Sequence, residues 1–239
     1  MLYESAARTH VGTVRRRNED AVLERPDVGL WAVADGAGGH HHGDYASGSV
    51  IAALRDLPLA ASGPLVFEEI KMILGHLNRQ LRQQAASIDP TAVIGTTVVA
   101  VLISGNQSFC LWAGDSRFYR MRAGDLRQLS RDQSYVQGLV DRGKIGVEAA
   151  ATHPFANVVC NLIGGSDELV LEERQDKLEP GDVLLLCSDG LTRALVDADI
   201  ADILRNTPVW AAADRLVERA LFCGTRDNVS AVTIHYTGQ

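Results

Sequence analysis

The sequence predicts an α+β fold built in layers, with antiparallel sheets inside and helices outside. Three observations carry that expectation. Short apolar runs follow one another in hairpin order, consecutive amphipathic stretches lie mid-chain and again near the end, and strands do not alternate regularly with helices. A doubly wound parallel sheet is excluded on the same grounds. The glycine-rich turns also lack the GxGxxG and GxxxxGKS/T forms that such sheets use.

Taken in order, Ser5 to Val14, Ala21 to Arg25 and Gly29 to Ala34 are predicted strands joined by short polar turns. From Asp44 to Leu57, residues Ala46, Val50, Ala53, Leu54 and Leu57 recur at helical spacing and give one apolar face. Leu65 to Ser87 is a longer helix with Ile70, Ile73, Leu74, Leu77 and Leu81 as its stripe, ended by Ile88-Asp89-Pro90. Gly95 to Ile103, Gln107 to Ala113, Arg117 to Arg122 and Leu126 to Leu129 form an expected meander, turning at Gly105-Asn106 and Ala123-Gly124-Asp125. Ser134 to Gly143 is a short helix. The aperiodic stretch Lys144 to Gly165, with His153-Pro154 inside it, is a flap or lid. Leu169 to Glu173 and Val183 to Cys187 are strands, and Asp197 to Arg205 and Pro208 to Cys223 are helices, the second with proline near its start. Val229 to Tyr236 is the closing strand.

With 239 residues, 46% hydrophobic and 22% charged, the chain can bury the core of one soluble domain or at most two small ones. No apolar run approaches the ~20 residues of a membrane span, and MLYESAARTH has no signal-peptide core, so a cytoplasmic protein is expected. Cys110, Cys160, Cys187 and Cys223 form no CxxC pair and are expected to be reduced and mostly buried. Glu19, Asp20, Asp35, Asp115, Asp189 and Asp227 nearly account for the net charge of −7. No basic stripe marks a nucleic-acid binder.

Those carboxylates share a device. Leu30-Trp31-Ala32-Val33-Ala34 runs into Asp35-Gly36 and then AGGHHHG, Val183 to Ser188 runs into Asp189-Gly190, and Phe109 to Ala113 runs into Gly114-Asp115-Ser116-Arg117. Asp227-Asn228 directly precedes Val229 to Ile234, and Glu19-Asp20 precedes Ala21-Val22-Leu23. One Asp-Gly after a strand is ordinarily a tight turn. So many carboxylate-bearing strand ends exceed what turns require. Strand ends of one sheet system converge, and clustered carboxylates repel unless cations neutralise them. Oxygen donors suit hard ions such as Mg²⁺ or Mn²⁺, so a binuclear carboxylate site is predicted.

Other signals have plainer readings beside the chemical ones. His40-His41-His42 are metal ligands, a general acid or solvated turn residues. Arg16 and Arg17 read as solvated charges, and Ser116 and Arg117 as groups that fix the Asp115 turn by local hydrogen bonds. Cys187 to Arg193 fits the C-x5-R loop of cysteine phosphatases, but Asp189 would lie inside that loop and repel phosphate. Cys187 is therefore expected to be a buried structural cysteine.

Seven motifs occur in order: VRRRNED (14–20), VADGAGGH (33–40), GTT (95–97), AGDSRFY (113–119), LSRDQS (129–134), GDVLLLCSDGLT (181–192) and TRDNVSAV (225–232). Together they resemble the metal-dependent type 2C (PPM) Ser/Thr protein phosphatases, in particular their compact bacterial single-domain members. The resemblance implies a four-layer α-β-β-α sandwich, with two central antiparallel sheets flanked by helices. It implies one catalytic domain over residues 1–239 with a flap at about 134–165. It also implies Asp35 as the bridge between two Mg²⁺ or Mn²⁺ ions, the Gly36 carbonyl on one of them, and Asp189 and Asp227 on the other. Glu19 and Asp20 would bind metal directly or through water, and Asp115 a third, weaker ion. Arg15 stands at the place of the phosphate-binding arginine, with Asn228 and His40 behind the ligands. Two departures are visible. Asn161 stands where relatives often carry arginine, and a histidine run replaces the small residues after GGH.

The implied activity is metal-dependent hydrolysis of phosphoserine and phosphothreonine in proteins, opposing a Ser/Thr kinase. Similar bacterial phosphatases work beside kinases and forkhead-associated proteins, including in type VI secretion control, and a monomer without nucleic-acid or membrane partners is expected. A rival from another class is a catalytically weak, phosphatase-like regulatory binding protein, which should have lost Asp35, Asp189 or Asp227; none is lost. A third is a different two-metal hydrolase such as a nuclease, for which a basic groove would be needed.

Overall fold

The computed structural model describes residues 2–38, 42–57 and 63–238. The chain opens with β1 (Tyr3–His10), β2 (Asp20–Arg25) and β3 (Leu30–Gly38), then α1 (Gly43–Arg55) and α2 (Pro64–Ile88). Next come β4 (Ile94–Thr96), β5 (Val98–Ser104), β6 (Gln107–Ala113), β7 (Arg117–Arg122) and β8 (Asp125–Gln128). The remainder is α3 (Tyr135–Asp141), α4 (Val147–Ala151), β9 (Glu172–Lys177), β10 (Val183–Cys187), α5 (Asp189–Thr192), α6 (Asp197–Asn206), α7 (Val209–Phe222) and β11 (Val229–Tyr236).

The strands form two antiparallel sheets, one in the order β1-β11-β10-β7-β8, the other β2-β3-β5-β6-β9 with β4 paired to β3. Side-chain alternation along each strand divides the interior into three apolar layers. In β3, Leu30, Ala32 and Ala34 pack with Leu54 of α1 and Ile70 and Leu74 of α2, while Trp31 and Val33 turn to the other sheet. There they meet Leu184 and Leu186 of β10 and Val232 and Ile234 of β11. On the outer face of that second sheet, Leu185 and Ala231 pack with Ile200 of α6 and Leu216 of α7. The result is helices, sheet, sheet, helices: the expected four-layer sandwich. Strands buried on both faces explain the unbroken apolar runs of β5 and β10.

Several expectations need correction. The predicted meander is split: β5 and β6 pair in one sheet, β7 and β8 in the other, and the chain changes sheets at Gly114-Asp115-Ser116. The first strand ends at His10 rather than Val14 because its partner ends at Val229, opposite His10. Beyond that point the Asn228 side chain takes over, donating to the carbonyls of Val11 and Arg17 at 2.9 Å each. The strand expected at Leu169 to Glu173 lies at Glu172–Lys177, an edge strand beside β6. Within the flap, Val147–Ala151 forms a short helix, and Asp189–Thr192 forms a helical turn directly after β10. Cys110 and Cys187 are buried, whereas Cys160 and Cys223 are exposed and all four are free thiols.

Candidate active site

The carboxylates singled out in the sequence meet at one end of the sandwich. Arg15, Glu19, Asp35, Gly36, Asp115, Asp189, Asp227 and Asn228 line a single cleft of about 300 Å³. Asp20 pairs with Asp35 across the β2–β3 ladder but is buried behind the wall rather than lining it. His40 and His41 lie outside the described residues; His42 precedes α1 and makes no side-chain capping bond.

Each acidic group is held from behind. The Asp35 amide donates to Thr97 Oγ1 at 3.0 Å, the Asp35 carbonyl accepts from the Thr97 amide at 2.9 Å, and Thr97 Oγ1 meets Ser116 Oγ at 2.7 Å. One threonine at the β4–β5 break thus fixes both Asp35 and the Asp115 turn. That turn needs Gly114: its φ is +105°, and an added Cβ would lie 2.6 Å from Thr97 Cγ2. Gly36 serves close approach instead, because a Cβ there would collide with the Gly43 carbonyl and lie 2.7 Å from the Glu19 carbonyl oxygen. Its amide donates to that Glu19 carbonyl at 3.0 Å. Asn228 Oδ1 accepts from the Glu19 amide at 2.8 Å, and its own amide donates to Asp227 Oδ1 at 3.0 Å. Asn228 is therefore a clamp between the 11–19 loop and the start of β11.

Charge in the cleft is only partly balanced. Arg15 forks onto Asp227, with Nε–Oδ1 and NH2–Oδ2 both 2.9 Å. Arg193 pairs with Asp189 and reaches Asp115 Oδ2 at 3.8 Å. Burial, then the neighbouring carboxylates, push the Asp35 carboxyl well above the usual range. Burial pushes Asp115 to about 7, and it likewise raises Asp189 despite Arg193 beside it. Asp20 is also pushed to about 7 by burial, although Ser188 and Ser230 hydroxyls donate to its Oδ2 at 2.8 and 2.7 Å.

Two buried oxygens, Asp189 Oδ1 and Asp20 Oδ1, have no hydrogen-bond partner. An orphaned carboxylate oxygen in a cleft of raised carboxyls is what a hard cation would satisfy, so the donor set fits divalent metal. As placed, no three His, Cys, Asp or Glu among the described residues form a closed ligand set. Arg15 and Arg193 hold two of the carboxylates in the cleft.

The sequence reading missed several contributors. Arg193 sits one helical turn after Asp189, and although in the sequence it reads as the end of a C-x5-R loop, the i, i+4 spacing carries the signal. Burial keeps the Cys187 thiol protonated, pushed up to about 12, which agrees with a structural cysteine. Ser188 and Ser230 had no motif of their own. Asn157 and Val159 of the flap also line the cleft. Asn161 does not: it donates to Gln133 Oε1 and the Val170 carbonyl, both at 2.6 Å, and Gln133 Oε1 also takes the Gly114 amide at 2.8 Å. It ties the flap base to the Asp115 turn. Arg117 likewise forks onto Asp132, bracing that turn from the other side.

A family model for Protein phosphatase 2C matches residues 10–222. The chain is similar to the serine/threonine protein phosphatase PstP of Mycobacterium tuberculosis, 38% identical over 233 residues, which are 97% of this chain and 45% of that protein. It thus spans about half the length of that curated relative. Among solved structures it is similar to PppA, a key regulatory component of T6SS in Pseudomonas aeruginosa, with TM-score 0.91, 41% identity and 98% of each chain covered. It is also similar to the catalytic domain of a serine/threonine protein phosphatase PstP in complex with two manganese ions, with TM-score 0.87 and 35% identity over 98% of this chain and 97% of that one.

Proposed function

The chain belongs to the protein phosphatase 2C family, and from that premise we propose that it is a Mg²⁺- or Mn²⁺-dependent phosphatase acting on phosphoserine and phosphothreonine in proteins. The observation that carries the reading is the cleft itself. Asp35, Asp115, Asp189 and Asp227 converge there, the first three with raised carboxyls and Asp189 with an orphaned oxygen, and an arginine fork stands beside them. The manganese-bound relative supports two such ions here.

In this reading Asp35 and the Gly36 carbonyl, Asp189 and Asp227 hold the two ions, with Glu19 in direct or water-mediated reach. Asp115 serves a third, weaker ion. When bound, the metals supply a hydroxide nucleophile near neutral pH and shield the phosphoryl oxygens. Asp20 has one oxygen engaged by Ser188 and Ser230 and sits behind Asp35, so its part is to tie the start of β2 to β10 and β11 of the facing sheet and add negative potential. Arg15 receives phosphate; its planar fork, which spans both oxygens of Asp227, fits two phosphoryl oxygens in the same way. Arg15 is half-exposed, so it can exchange one partner for the other at modest cost. The Thr97–Ser116 pair and Asn228 keep the ligands aimed, as outer-shell groups do at metal sites.

Residues 1–239 act as one catalytic domain with the flap at 134–165 over the cleft. The phosphoproteins are substrates of a Ser/Thr kinase that this phosphatase opposes, a forkhead-associated protein among them; the T6SS relative supports a role in type VI secretion control. No helix among the described residues is long and apolar enough to cross a membrane. A cytoplasmic monomer is part of the same proposal. The test is phosphate release from a phosphothreonine peptide with Mn²⁺, Mg²⁺ or EDTA. Turnover that needs metal and stops in EDTA is expected; turnover that survives EDTA would overturn the reading.

A further inference from the structure

A second groove of about 550 Å³ runs beside the cleft and shares Arg15, Asn157, Arg193 and Asp227 with it. Three arginines, Arg15, Arg193 and Arg226, line it against one carboxylate, Asp227. That balance is the reverse of the molecule's, whose net charge is −7. Two of the arginines are committed, Arg15 to Asp227 and Arg193 to Asp189. Arg226 is exposed and has no hydrogen bond or ion pair with any described residue. The small residues Gly190, Gly224 and Thr225 also line it, with Thr225 Oγ1 donating to the Gly190 carbonyl at 2.8 Å. Extended backbone can therefore lie along it.

Resting on the phosphatase reading, we infer that this groove is the subsite for residues flanking the phosphorylated one, and that it selects an anionic side chain there, read by Arg226. The walls shared with the cleft mean that a chain whose phosphoresidue enters the cleft passes its neighbours along the groove. A carboxylate or a second phosphate supplies the anionic partner that Arg226 lacks among the described residues, and Arg226 contributes a planar multi-donor fork for either. The preferred substrates are acidic or doubly phosphorylated segments. The residue is a specificity determinant, next to Asp227 in sequence, that lines the groove but not the cleft.

The test uses the full chain and phosphothreonine peptides whose flanking positions carry alanine, glutamate or a second phosphothreonine. Fluorescence anisotropy in EDTA measures binding without turnover, and KM values with Mn²⁺ are measured in parallel. The wild type should bind the glutamate peptide roughly fivefold more tightly than the alanine peptide, the upper range for one exposed charge pair, with the gap closing as salt rises. The doubly phosphorylated arm shows whether phosphate is read more strongly than carboxylate. In Arg226→Ala the ratio of the two affinities should fall to near one, while Arg226→Lys, which keeps the charge but not the fork, keeps only part of it. An unchanged ratio in Arg226→Ala, or equal wild-type affinity for all three peptides, would overturn the inference. Absence of phosphate release by wild type would instead count against the phosphatase reading, and the binding arm would still decide the subsite.

Discussion

Thr97→Val isolates the hydroxyl that joins the two halves of the acidic cluster. Thr97 is 2% exposed, and valine keeps its shape, so packing is preserved. What is lost is the acceptor of the Asp35 amide at 3.0 Å and the partner of Ser116 Oγ at 2.7 Å. Each buried polar group left without a partner costs about 1–3 kcal/mol, so the pair amounts to about 2–6 kcal/mol. For a chain of this size that corresponds to a melting temperature lower by about 4–24 °C. Asp35 and the Asp115 turn also lose their common anchor, and outer-shell losses of this kind weaken metal binding about 10–100-fold. Thermal unfolding in EDTA reads the first effect, and the Mn²⁺ concentration for half-maximal phosphate release reads the second. A variant within about 0.5 kcal/mol of wild type, the range of ordinary surface changes, with an unchanged Mn²⁺ response would refute the reasoning.

Other outcomes follow from the same geometry. Asp35→Asn or Asp227→Asn should remove nearly all metal-dependent turnover while circular dichroism shows an intact fold. In EDTA, Asp35→Asn should melt above wild type, because the charged form it removes is disfavoured by burial and by four neighbouring aspartates. Arg15→Ala should raise KM more than it lowers kcat, and Arg15→Lys should restore little, since an ammonium cannot make the fork; a kcat loss at unchanged KM would place its action in the transition state. Stability without metal should also depend on pH. The folded-state carboxyls of Asp20, Asp35, Asp115 and Asp189 are raised, so the folded protein binds more protons than the unfolded chain between the ordinary carboxylate range and their shifted values. Their contribution is complete below about pH 4 and is lost as pH rises through about 7, the value for Asp20 and Asp115. Melting in EDTA should therefore fall from pH 6 to pH 8, and saturating Mn²⁺ should remove or reverse that slope, because metal takes the deprotonated ligands.

The helices and most strands were legible because each buries a defined stripe; α1 and α2 lie within two residues of the spans read from their periodicity. The edge strand β9 was not. Its sequence EERQDK has no apolar alternation, since a strand beside only β6 keeps polar side chains on both faces. The apolar Leu169 and Leu171, which drew the prediction upstream, instead pack as loop residues against the helix-side core. The change of sheet after β6 was hidden for another reason. A hairpin and a crossover both begin with a glycine turn, and only burial of β6 on both faces separates them. The acidic residues of the cleft could be read from the strand-end device, except that β3 runs on past Asp35 to Gly38 by pairing with β4, and Asp20 lies behind the wall. Its serine partners and the Thr97 hydroxyl could not, because a buried hydroxyl has no spacing signature until the strands are paired.

The central claim is that this carboxylate cluster holds two catalytic metal ions. Native mass spectrometry of the protein titrated with Mn²⁺ measures that directly. Two tightly retained ions per chain are predicted, a third only at higher concentration, with at least one tight ion lost in Asp189→Asn and the third alone lost in Asp115→Asn. A chain that retains no Mn²⁺, or an Asp189→Asn variant that still retains both tight ions, would contradict the account.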